Sequence, residues 1–108
     1  MYYFCIDGGE TKSNAILFDY NAKILAKSKS DSGNVYNDVN KAEKNINSMW
    51  FDCCKKAKLN KEDIKAETIA SFGLAGVRFK KNRDYLIKNI NYFNKLILFE
   101  DIEFSLIR

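Results

Sequence analysis

The stretch Asp7-Gly8-Gly9-Glu10-Thr11-Lys12-Ser13 lies between two short apolar runs, Tyr2 to Ile6 and Ala15 to Phe18. Both runs are rich in aromatic and β-branched residues and bounded by turn formers, so each reads as a β-strand. With so few residues between them, the strands must form an antiparallel hairpin. That hairpin carries an acid at its mouth, two glycines, a hydroxyl and a lysine. Glycine lets the backbone turn sharply and expose N–H groups that can wrap a phosphate. An aspartate at the end of the first strand can hold Mg²⁺, usually through water. The same residues also suit an ordinary Asp-Gly turn, and on this stretch alone both readings stand.

The rest of the chain limits how the hairpin can be extended. A second strand is predicted from about Asn14 to Asp19 and a third from Ile24 to Ser30, joined by a turn at Tyr20 to Lys23. The polar loop Ser30 to Asn34 leads to a long helix, from about Asn37 to Lys58. Its apolar face is Val39, Ala42, Ile46, Met49, Cys53 and Ala57, widened by Trp50, with Asn37 or Asp38 as N-cap. Leu59 to Ile64 reads as a loop with one helical turn. A fourth strand, Glu67 to Leu74, runs into Gly73-Leu74-Ala75-Gly76-Val77, and a basic connector spans Arg78 to Arg83. A second helix covers about Lys81 to Tyr92, with Leu86, Ile90 and Phe93 at helical spacing. A fifth strand, Leu96 to Phe99, ends in Glu100-Asp101, and Ile102 to Arg108 would begin another helix. The order βββαβαβ combines a meander with two helical crossovers. Crossovers of this length join parallel strands and are right-handed. The expected fold is α/β: a five-stranded mixed sheet with helices on its faces.

Composition narrows the chemistry. The chain has 108 residues, 46% of them apolar, which suits one globular domain with a real core. No apolar run approaches the roughly 18 residues of a membrane span, and no basic segment followed by an apolar one suggests a secretory signal. The three cysteines, Cys5, Cys53 and Cys54, are expected to be reduced thiols of a cytoplasmic protein. No CxxC or Cys/His cluster points to zinc. Histidine is absent, so a Ser-His-Asp mechanism is excluded and a general base must be a carboxylate, Lys, Tyr or Cys. The net charge of +4 permits an anionic ligand without arguing for nucleic acid.

In a sheet of this kind ligands collect beyond the C-terminal ends of the parallel strands. Three features fall there: Asp7 with its hairpin, Gly73 to Val77, and Glu100-Asp101. Asp101 taken singly could be a solvent-facing acid or the N-cap of the next helix. Its convergence with the other two favours a functional acid.

At this point the sequence resembles a family. Phe4 to Ser13, followed by Ile16 to Asp19, is similar to the opening of the BadF/BadG/BcrA/BcrD ATPases, whose best-known sugar-kinase members are the N-acetylglucosamine kinases. The similarity continues through Asp31 to Asn34, the long helix, Leu59 to Ile64, Gly73 to Val77 and Leu98 to Asp101, so it covers essentially the whole chain. The opening motif is shared with the wider actin/hexokinase/Hsp70 superfamily, and the implied fold is the ribonuclease H-like, actin-like ATPase domain. The resemblance implies ATP and Mg²⁺ as cofactors and a small sugar as substrate, with no nucleic acid or membrane partner. It implies that Asp7 positions Mg²⁺ and that Gly8, Gly9, Thr11 and Lys12 shape the first phosphate loop. It places Asn34 and Gly76 at the sugar, and makes Asp101 the acid that takes the proton from the attacking hydroxyl.

The chain departs from the family pattern in two places. Glu10 stands where the family usually has a third glycine, and a glutamate facing phosphate would repel it by about 1 to 4 kcal/mol. Glu100-Asp101-Ile102 stands where Asn-Asp-Ala is common, so a second charge crowds the presumed base. Family members continue into a second domain with the rest of the ATP site. The expectation is therefore an N-terminal domain with no turnover by itself, and with an exposed surface through which copies associate. Two other functions fit the same layout. One is a ribonuclease H-like nuclease holding two metals on Asp7 and Asp101. The other is a degenerate, non-catalytic binding module.

Overall fold

The structure is a computed structural model that describes residues 1–9, 12–31 and 38–100. Its elements are β1 (Tyr2–Gly8), β2 (Ser13–Asp19), β3 (Ile24–Ser30), α1 (Val39–Lys56), α2 (Lys61–Ile64), β4 (Thr68–Leu74), α3 (Lys80–Asn89) and β5 (Lys95–Phe99), with a 3₁₀ turn at Lys65–Glu67. They form one mixed sheet in the order β3-β2-β1-β4-β5. β1, β2 and β3 pair antiparallel, whereas β4 pairs parallel to β1 and β5 parallel to β4. This is the sheet that a meander followed by two helical crossovers requires. The residues expected to form the further helix, Ile102 to Arg108, lie outside the described residues.

Strand register sorts the side chains onto two unlike faces. Phe4 pairs with Leu17 on one side and Ala70 on the other, and Ile6 with Ala15 and Phe72. All six are buried. Trp50 of α1 packs on Phe4 with ring centroids 5.0 Å apart, and Phe93, just after α3, meets Phe4, Phe72 and Trp50. Leu86 and Ile90 join the same cluster, so both longer helices cover this face. The opposite face carries Tyr3, Cys5, Asp7, Ile16, Phe18, Ile69 and Ser71, all half-buried. Tyr3 and Phe18 stack there at 5.4 Å.

The long helix follows its predicted stripe: Ala42, Ile46, Met49, Trp50 and Cys53 are buried. Asp38 is the N-cap and accepts the Lys41 N–H at 3.0 Å. The helix closes when the Leu59 N–H reaches the Cys54 carbonyl at 2.9 Å, with Lys58 left-handed at φ 60°, a position that glycine more often fills. The second helix ends at Asn89, three residues short of its expected end at Tyr92. Ile90 leaves the helical region, with φ −113° and ψ 73°. Phe93 therefore reaches the core from a loop rather than from the helix.

Burial raises the thiols of Cys53, to about 11, and Cys54, to about 12, and also raises that of Cys5. Only the thiolate reacts, so at pH 8 on the order of one Cys53 in a thousand is reactive, and fewer Cys54. Native protein at pH 8 should leave Cys53 and Cys54 unalkylated by iodoacetamide, whereas protein unfolded in urea takes label at both. Their reactivity should rise only as pH approaches the raised values, and rapid native labelling at pH 8 would contradict this packing. Gly73 supplies a second prediction. It pairs with Phe99, and an added Cβ would lie 2.7 Å from the Phe99 ring. Gly73→Ala should destabilise by about 1 to 3 kcal/mol in urea titrations, and by less in a Phe99→Leu background. Equal costs in the two backgrounds would contradict the contact.

Candidate functional site

The C-terminal ends of β1, β4 and β5 meet at one edge of the sheet. The hairpin after β1 is closed by the Gly9 N–H donating to the Lys12 carbonyl at 2.9 Å. The loop after β4 donates the Ala75 N–H to the Gly8 carbonyl at 3.3 Å. The next two amides, of Gly76 and Val77, donate to the two carboxylate oxygens of Glu100 at 2.8 and 3.1 Å. Gly76 is left-handed at φ 87°, which glycine adopts without steric penalty. Its carbonyl accepts from the Asn82 side-chain amide at 3.3 Å. Glu100 is buried, at 8% exposure, with its charge turned into the loop. Buried backbone N–H groups need acceptors, and an ionised carboxylate makes the stronger kind of hydrogen bond with them.

Of the residues picked from sequence, Asp7, Gly8, Gly9, Lys12 and Gly76 share this edge. Asp7 is half-buried on the helix-free face, in register with Asn14 on β2 and Gly73 on β4. Thr11, Asn34 and Asp101 lie outside the described residues, as do Glu10 and Ile102. From sequence alone Glu100 is a second charge crowding Asp101. The structure makes it the acceptor for two loop amides, and the only signal for that was an acid at a strand end facing a glycine-rich loop. Ser13 is a further residue with no signal in the sequence. That residue pairs with Gly8 and Ser30 on the helix-bearing face, and its hydroxyl is buried with no hydrogen-bond partner among the described residues.

No group of three His, Cys, Asp or Glu side chains that could hold a metal occurs among the described residues. The donor set at this edge suits Mg²⁺ rather than a caged ion. Mg²⁺ keeps several waters and needs only one or two carboxylates plus phosphate oxygens, and Asp7 supplies one carboxylate.

An open hollow of about 640 Å³ lies elsewhere, beside β3, lined by Asn14, Ala15, Ile16, Lys27, Ser28, Lys29, Asp52 and Lys56. Several of its polar groups satisfy one another. Asp52 accepts from Lys56 at 3.0 Å and from the Ser28 hydroxyl at 2.8 Å, and Lys56 also donates to the Lys27 carbonyl at 2.9 Å. The hydrogen bonds from Lys56 and then Ser28 hold the Asp52 carboxyl below the usual range. This cluster pins α1 to the edge strand, where an unpaired carbonyl would otherwise be open to another chain. We therefore place the candidate site at the strand ends.

No family model matches the chain. Among curated proteins, a glycerol kinase from Shewanella piezotolerans (strain WP3 / JCM 13877) is 29% identical over 79 residues, covering 71% of this chain and 16% of its own. Among solved structures, a candidate N-acetylglucosamine kinase from Chromobacterium violaceum superposes with a TM-score of 0.81 at 19% identity, over 92% of this chain and 34% of its own. Component A of the (R)-2-hydroxyglutaryl-CoA dehydratase of Acidaminococcus fermentans superposes with a TM-score of 0.53 at 21% identity, over 91% of this chain and 30% of its own. The chain thus spans about a third of the length of these solved structures and a smaller part of the glycerol kinase. At these identities the likeness is one of fold: a five-stranded mixed sheet with helices.

Proposed function

We propose that this chain is the N-terminal part of an ATP-dependent sugar kinase of the BadF/BadG/BcrA/BcrD type, acting on N-acetylglucosamine or a related amino sugar. The observation that carries this reading is the joining of three strand ends at one edge, through the Ala75, Gly76 and Val77 amides. That edge holds the hairpin with Asp7, Gly8, Gly9 and Lys12. The fold shared with a candidate N-acetylglucosamine kinase, and the partial identity with a glycerol kinase, support it.

In this reading Gly8, Gly9, Thr11 and Lys12 form the first phosphate loop. Glycine lets backbone N–H groups approach phosphate oxygens, and the lysine brings a positive charge. Asp7 holds Mg²⁺ through water; the ion, when bound, neutralises phosphate charge. Asn34 and Gly76 line the sugar pocket, and Asp101 orients the acceptor hydroxyl and takes its proton. Phosphoryl transfer depends mostly on such positioning and charge neutralisation. The remainder of the ATP site comes from chain that these 108 residues do not include, so the reading gives them no turnover by themselves. It makes the protein cytoplasmic, where ATP is available. No helix among the described residues is long and apolar enough to cross a membrane.

The nuclease reading needs several free acids at the same edge. Glu100 is committed to the loop amides, so among the described residues the edge does not gather the several acids this reading needs.

The test uses the complete gene product carrying these residues, assayed with ATP and Mg²⁺ against a panel of sugars. Phosphorylation of an amino sugar is expected, falling by about a hundredfold or more in Asp101→Asn and in Asp7→Asn. Failure to phosphorylate any sugar, or full activity in Asp101→Asn, would contradict the reading.

A further inference from the structure

We infer that Glu100 is a positioning residue that holds the Gly76 loop and the end of β5 in one fixed relation. Glu100 directly follows β5 and directly precedes Asp101. Its two carboxylate oxygens accept two successive amides of the loop after β4, at 2.8 and 3.1 Å, from 24 and 23 residues away in sequence. The left-handed turn at Gly76 brings those amides onto one carboxylate, as in an anion-binding nest. From the other side, Asn82 takes the Gly76 carbonyl at 3.3 Å. Both peptide groups of Gly76 are therefore engaged within the protein. Gly76 then meets a ligand chiefly by shape, as a side-chain-free wall, and its two amides are not offered to a substrate.

The inference rests on the kinase reading for its consequence. The loop carrying Gly76 would line the sugar pocket, and the residue after Glu100 would be the base. A carboxylate that fixes the loop against the end of β5 sets where the substrate wall stands without touching the substrate. Misplacing a reacting group by about 1 Å can cost about a hundredfold in rate. Glutamine in place of Glu100 keeps the size but offers one acceptor oxygen, and its NH₂ group faces the second loop amide. Aspartate keeps both oxygens on a shorter stem.

The experiment compares Glu100→Gln and Glu100→Asp with wild type in the complete gene product, at a temperature where melting curves show each variant folded. The expected result for Glu100→Gln is a fall of about tenfold or more in kcat with a raised KM for the sugar. Its KM for ATP should stay within about twofold of wild type, and Glu100→Asp should recover part of the loss. A purely structural role would instead lower activity in proportion to folded protein. Unchanged constants in Glu100→Gln, or losses tracking folded fraction alone, overturn the inference while leaving the kinase reading intact. A wild-type protein that phosphorylates no sugar overturns the kinase reading, and with it this role for Glu100. If neither variant folds, hydrogen exchange on wild type decides. Protection of the Gly76 and Val77 amides by about a hundredfold or more over unstructured peptide supports the contact. Free exchange at either amide overturns it.

Discussion

Three consecutive amides, those of Ala75, Gly76 and Val77, hold the ends of three strands together. The first donates to the Gly8 carbonyl at the end of β1, and the next two donate to Glu100 beyond β5. Without these acceptors the loop would carry buried, unpartnered N–H groups, each costing about 1 to 3 kcal/mol. The carboxylate is equally dependent on the loop, because a charge is costly to bury unless hydrogen bonds replace its water. Each therefore satisfies the other. The left-handed conformation of Gly76 makes this mutual satisfaction sterically accessible.

This clasp sits where two unlike faces of the sheet meet. On one face α1 and α3 bury an aromatic cluster of Phe4, Trp50, Phe72 and Phe93. That packing holds β1 and β4 side by side, since Phe4 and Phe72 stand on those two strands. On the other face Asp7 lies beside Gly73, over which the Phe99 ring leaves no room for a side chain. The hydrophobic core thus sets the spacing of the strands, and the clasp fixes how their ends are linked. The candidate phosphate hairpin inherits its position from both.

Much of this was legible in the sequence because it depends on short-range patterns. The hairpin followed from the short polar stretch between two apolar runs, and the strand directions followed from connection lengths. The buried stripe of α1 followed from helical spacing. The end of α3 was not legible, because Phe93 keeps its helical spacing to Leu86 and Ile90 while the backbone has already left the helix at Ile90. The role of Glu100 was not legible either, since its partners lie more than twenty residues away and are backbone atoms that any sequence possesses. In β3 buried and exposed residues do not follow the apolar and polar ones, for a related cause. Ser28 is buried because it hydrogen-bonds to Asp52 across the helix–strand junction, whereas Ile24, past an irregularity in the β2–β3 pairing, is left exposed. The edge that carries Asp7 was predicted from topology, but Thr11, Asn34 and Asp101 lie outside the described residues.

The central claim is that ligands meet this chain at the joined strand ends rather than at the lysine-lined hollow beside β3. Titrating the isotope-labelled chain with N-acetylglucosamine, and separately with ATP and Mg²⁺, and following the backbone amide resonances tests it directly. The account predicts shifts concentrated at residues 7–9, Lys12 and residues 73–77. Shifts concentrated instead at Lys27, Lys29, Asp52 and Lys56, or no response to either ligand, would contradict it.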